Sequence, residues 1–163
     1  KLRDQIIVYY KHRHPDELKF IIEKLKNKNI EPIIFDYEKR YKEEDYLNTL
    51  HNAKYMVVVA GHESQGFGLQ EAMSCNVPLL VWNVKSMNQE YGRNYDDIPA
   101  STVPYWDNRC GEVFYQEEEF DETFDNLTTN LDDYIPRKYI EENLSIEKCS
   151  EIFISLINKL NDQ

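Results

Sequence analysis

Two glutamates, Glu63 and Glu71, fence the stretch ESQGFGLQE, and Gly66 and Gly68 lie between them. A carboxylate accepts two hydrogen bonds side by side, which suits the vicinal hydroxyls of a sugar or a ribose. Glycines let the backbone approach a ligand closely. A helix that starts here aims its free N–H groups and positive dipole end at the same place, a natural position for an anion such as pyrophosphate. The spacing alone proves nothing, since Glu23 and Glu31 stand equally far apart on a helix and the strand after it. Context separates the two pairs. Glu63 lies at the mouth of an apolar strand and Glu71 in the first turns of the next helix, so both can face one small volume. The plain alternative is a tight turn that uses glycine for geometry alone. GFG is neither GxGxxG nor GxxxxGK[ST], so a dinucleotide fingerprint and a P-loop are both disfavoured.

The elements that must position this loop read as a repeated strand–helix unit. QIIVYY (5–10), EPIIFDY (31–37), YMVVVAG (55–61), PLLVW (78–82) and CGEVFY (110–115) are the strand candidates. YMVVVAG is nearly all apolar, as a strand covered on both faces is. After Pro15, Leu18, Ile21, Ile22 and Leu25 form one helical stripe. YKEEDYLNTLHNA predicts a charged helix with Leu47 and Leu50 inward, and a short helix is expected around 69–75. Phe120, Phe124 and Leu127 put a helix under the acidic run EEEFDETFDNL, whose carboxylates then form a solvated face rather than a metal site. PRKYIEENL reads as a short helix. Ser145 is a plausible N-cap for a last one with the stripe Cys149, Ile152, Phe153, Leu156, Ile157 and Leu160.

This order predicts an α/β fold, a Rossmann-like open parallel sheet with helices on both faces, in a single domain over residues 1–163. Such sheets bind ligands at the carboxyl ends of their strands. The loops that matter therefore begin at Lys11, Asp36, Gly61 and Asn83, and only the third is glycine-rich. Residues 83–108 form a long polar segment, of a length that is usually functional or mobile.

A net charge of −11 and a pI near 4.8 argue against nucleic acid as a partner. No apolar run approaches the roughly 18–20 residues of a transmembrane segment and no signal segment opens the chain, so a cytoplasmic location is expected. Cys75, Cys110 and Cys149 are scattered and odd in number, which predicts reduced, buried thiols. The N-x-[ST] matches at Asn126 and Asn143 read as chance without a secretory signal. The first residue is Lys1 rather than Met, which leaves room for a longer protein.

The segment ESQGFGLQEAMSCNVPLLVWNV resembles the donor-site segment of retaining GT-B glycosyltransferases of the family-4-like group, roughly E-[SG]-F-G-x-x-x-x-E-A-M-A-x-G-x-P-V. Glu63, Ser64, Gly66, Glu71, Ala72, Met73 and Pro78 fall on matching positions. Gln65 stands where that group often has Phe, and Asn76 where it has Gly. The likeness is sharp over 63–84 and extends over 1–160 in outline, as the carboxy-terminal half of that fold.

The resemblance implies a glycosyltransferase donor domain that binds a nucleotide-diphospho-sugar for retaining, metal-independent transfer, with no cofactor. Glu63 would contact the hydroxyls of the transferred sugar. Backbone amides of Gln65, Gly66, Phe67 and Gly68 would hold sugar and pyrophosphate, and Glu71 would bind the ribose. The chain has no D-x-D triplet, in keeping with a site that uses no metal.

Lys11 and Arg13, in YYKHRHP, are expected to face the departing diphosphate; a solvated basic turn is the competing reading. HRH is not expected to bind metal, since no acidic or cysteine ligand is near in sequence. His62 reads either as a donor contact or as a structural hydrogen-bonder, and Tyr37 as a base-stacking or a packed aromatic. A GT-B site lies between two domains, so an N-terminal acceptor-binding domain is implied, in cis or in trans. The alternative is a non-catalytic nucleotide-sugar-binding or regulatory module. A flavodoxin- or receiver-type domain needs an acidic cluster or a flavin loop after the first strand, where this chain has KHRH.

Overall fold

A strand buried on both faces has no solvent side to alternate with, and the third apolar run shows it. In strand β3 (Ala53–Ala60) every residue but Lys54 is buried. The computed structural model describes residues 3–161. Around β3 lie β1 (Gln5–Lys11), β2 (Ile33–Asp36), β4 (Leu79–Trp82) and β5 (Gly111–Phe114), all parallel, in the order β2-β1-β3-β4-β5. The helices are α1 (Pro15–Asn27), α2 (Glu43–Leu50), α3 (Phe67–Ser74), α4 (Phe120–Thr129), α5 (Pro136–Asn143) and α6 (Ile146–Asn161). This is the expected Rossmann-like α/β fold. Strand ends differ from the expected ones by at most two residues.

The period-two alternation of each strand feeds two cores. Val8, Val57, Leu80 and Phe114 meet Ile21 and Leu25 of α1 and Phe120, Phe124 and Leu127 of α4 on one face. Ile7, Tyr9, Met56, Val58 and Val81 meet Tyr46 and Leu50 of α2, Leu69 and Met73 of α3, and Tyr139 of α5 on the other. Gly111 opens β5 at φ +135°, and a Cβ there would lie 2.0 Å from the Leu79 carbonyl oxygen of β4.

Three expectations need correction. Leu47 is exposed, because α2 is one short helix that turns only Tyr46 and Leu50, four apart, onto the sheet. The stripe of α6 has no cover either. Ser145 does cap the helix, accepting from Lys148 N at 3.2 Å, yet Phe153 remains 65% and Leu160 70% exposed.

The thiols differ accordingly: Cys110 is buried, Cys75 half-buried and Cys149, on α6, exposed. Burial pushes the Cys110 thiol up to about 11, which starves it of thiolate. Timed labelling with a thiol reagent is therefore expected to modify Cys149 first, with Cys110 reacting only on unfolding. Mass spectrometry of the peptides checks the order. No helix among the described residues is long and apolar enough to cross a membrane.

Candidate functional site at the β1/β3 switch point

The chain leaves β1 toward β2 on one side and returns to β3 on the other, so the carboxyl ends of β1 and β3 diverge. A doubly wound sheet forms its ligand crevice at such a point. β1 ends at Lys11, and its register partner is Ala60, the last residue of β3. The Gly61 amide donates to the Lys11 carbonyl at 2.8 Å and holds the two exits together. Two residues farther on, Glu63 meets the lysine: Lys11 Nζ lies 2.7 Å from Glu63 Oε1. The side chains are only 18% and 10% exposed, so the pair is shielded from bulk water. The ammonium also stands 4.7 Å over the Tyr37 ring, a cation–π contact.

The glycine loop completes the floor. Gly66 is the N-cap of α3 at φ 68°, ψ 47°, a left-handed conformation that a residue with a Cβ resists. No side chain caps this helix. The amides of Phe67 and Gly68, in its first turn, have no partner within the helix.

Gly68 is pinned from below by two tyrosines. A Cβ there would come within 3.3 Å of the Tyr9 hydroxyl, and Tyr46 donates to the Gly68 carbonyl at 2.7 Å. Burial drives the Tyr46 hydroxyl well above its ordinary pKa, which keeps it a donor. Gln65 is exposed and its carbonyl accepts from Gln70, while Phe67 is 70% exposed at the mouth of the loop.

Glu71 lies on the open side of α3. Burial first, and the Glu43 carboxylate second, push its carboxyl above the ordinary range. A carboxyl with a raised pKa in the fold lends stability below its unfolded pKa, and that contribution is lost as pH rises through the folded one. Glu71 is exposed as a residue, so solvent keeps the effect small. Glu71→Gln is therefore expected to match the native chain in stability at pH 4 and to be slightly more stable at pH 7. Urea denaturation at the two pH values tests it.

Arg13 does not face this space. The chain turns at His12 (φ 52°), and the Arg13 side chain, 2% exposed, runs back beneath the sheet ends. Its guanidinium donates to the carbonyls of Ala60 at 3.3 Å and Trp82 at 3.1 Å, the last residues of β3 and β4, and pairs with Glu17. It also stacks 5.1 Å over the Trp82 ring. Arg13 caps strand ends, so the expectation of two cations at the site reduces to Lys11. His62, 19% exposed, brings its Nδ1 within 2.8 Å of Glu90 Oε2. Tyr37 is 48% exposed, with Lys11 over its ring and His12 edge-on against it.

Sequence reasoning missed a hollow after β2, walled in part by the Tyr37 ring that Lys11 covers. A pocket of about 500 Å³, within the usual size of small-molecule sites, is lined by Tyr37, Glu38, Arg40, Tyr41 and Glu43. Arg40 carries no ion pair among the described residues. Its only sequence signal was its place after a strand, since the residues between β2 and α2 have no motif spacing.

The chain matches no protein-family model, and no curated protein matches it. Its strand order is shared with flavodoxin- and receiver-type domains. Lys11, His12 and Arg13 make the β1 exit of this chain basic. Among the described residues no three His, Cys, Asp or Glu side chains converge on a metal position.

Proposed function

We propose that this chain is the donor-binding part of a glycosyltransferase, which takes a nucleotide-diphospho-sugar and transfers its sugar without a metal ion. The observation that carries the reading is the shielded Lys11–Glu63 pair, set beside the uncapped start of α3 at the switch point. A diphosphate laid there receives one ammonium and the first-turn amides of Phe67 and Gly68. As the sugar–phosphate bond breaks, charge accumulates on the leaving oxygen. Lys11 and the helix dipole are already in place to stabilise it, with no solvent to reorganise.

Glu63 accepts hydrogen bonds from the sugar hydroxyls, and Glu71 from the ribose. The hollow between Tyr37 and Glu43 is wide enough for the base, which can stack on an exposed tyrosine. The acceptor is bound by a second domain, in cis or in trans.

Titration calorimetry with UDP, GDP and ADP, and with their sugars, in the presence of a chelator is the direct test. One of them is expected to bind; no heat from any sinks the proposal. Glu71→Ala is expected to weaken that binding. Glu63→Gln is expected to spare it while abolishing transfer once the acceptor half is supplied, and full turnover by that variant removes Glu63 from the sugar.

A further inference from the structure

Glu90 belongs to the irregular segment between β4 and β5, far in sequence from the glycine loop, and directly follows the 3-10 turn Met87–Gln89. Its side chain is 7% exposed. A buried carboxylate is costly unless it has polar partners, and two imidazoles stand beside this one. Oε1 lies 3.1 Å from His12 Nδ1, and Oε2 lies 2.8 Å from His62 Nδ1. His12 directly follows Lys11 and His62 directly precedes Glu63, so one carboxylate spans the two loops that carry the ion pair.

The backbone repeats the connection. Tyr91 N donates to the His12 carbonyl at 2.8 Å, and Glu63 N to the Ser101 carbonyl at 3.0 Å. Gly61 makes room for it, since a Cβ there would stand 3.2 Å from Glu90 Cγ and 3.3 Å from the His12 carbonyl. The His62 contact is set off the N–H direction, so this buried nitrogen has an ion-pair neighbour without an aligned hydrogen bond.

We propose that Glu90 is a positioning residue that fixes Lys11 against Glu63 by clamping the imidazoles of His12 and His62 with one carboxylate. The inference rests on the reading of that pair as the donor site. The groups that face the clamp are few. His12 has Glu38 Oε1 at 2.7 Å from its Nε2 and the Tyr37 ring edge-on. His62 has the Tyr95 ring edge-on, and Arg93 Nε is 3.8 Å from Glu90 Oε1. The shared carboxylate ties the loop that carries Lys11 to the loop that carries Glu63.

The test compares the full chain with Glu90→Gln, which keeps the size and removes the charge. His12→Asn and His62→Asn each break one arm of the clamp and serve where Glu90→Gln folds poorly. The first readout is the NMR spectrum of the histidine side chains at one fixed pH, without ligand. His12→Asn is expected to shift the His62 ring signals in the native background and to leave them unmoved in Glu90→Gln; unmoved His62 signals in the native background overturn the clamp.

The second readout is nucleoside-diphosphate affinity at one fixed pH. It is expected to be about tenfold weaker in Glu90→Gln than in the native chain. Equal affinity in a folded Glu90→Gln variant overturns the positioning role. If the native chain binds no nucleoside diphosphate, the donor-site reading falls, and the histidine spectra still decide the clamp.

Discussion

Lys11→Ala is expected to lower affinity for a nucleoside diphosphate by roughly 30- to 150-fold, which corresponds to about 2–3 kcal/mol. Two effects act in the same direction. The variant loses the side-chain cation at the switch point that lies 2.7 Å from Glu63. It also leaves the Glu63 carboxylate, 10% exposed, without its counter-ion, so an arriving diphosphate meets an unpaired negative charge. The double variant Lys11→Ala/Glu63→Gln separates the two effects, because removing the orphaned carboxylate restores the second part of the loss and not the first. Calorimetry on the two single variants and the double variant completes the cycle. A Lys11→Ala chain that binds like the native one shows that Lys11 serves Glu63 alone.

Gly111→Ala is expected to be the most damaging small substitution in the described chain. The added methyl would stand 2.0 Å from the Leu79 carbonyl oxygen and 2.7 Å from its nitrogen. Both atoms belong to the backbone of β4, where Leu79 and Gly111 are register partners, so no side-chain rotation relieves the clash. The φ of +135° adds strain for any residue with a Cβ. Overpacking and backbone strain together cost on the order of 3–5 kcal/mol, a large share of the stability of an ordinary domain. Thermal unfolding followed by circular dichroism is expected to show a midpoint lower by roughly 10 °C or more. An unchanged midpoint means that β5 shifts outward from β4 at little cost.

Much of the architecture was legible because it rests on local periodicity. Ile21 and Leu25 follow the helical repeat, the unbroken run before Gly61 marks a strand in the middle of the sheet, and Phe120, Phe124 and Leu127 put a helix under a run of acids. α6 shows the limit of such patterns. Its stripe was readable, but periodicity states only that a helix has an apolar side, and not that anything in this chain covers it. Leu47 fails for a related reason: α2 is a short helix whose buried face is taken by Tyr46 and Leu50.

The site divides in the same way. From the residues alone came the glycine loop, the helix that starts within it, and the two glutamates with Lys11 near a strand end. All of these follow from composition along a short piece of chain. Which cation meets which carboxylate was decided by the tertiary structure. Lys11 and Arg13 are two residues apart, yet the left-handed turn at His12 sends one to Glu63 and the other beneath the sheet to cap β3 and β4. Glu90 reaches both His12 and His62 from a segment that has no periodicity to read. Contacts across strands depend on register and on the path of the chain between them, and neither is written in any local stretch of sequence.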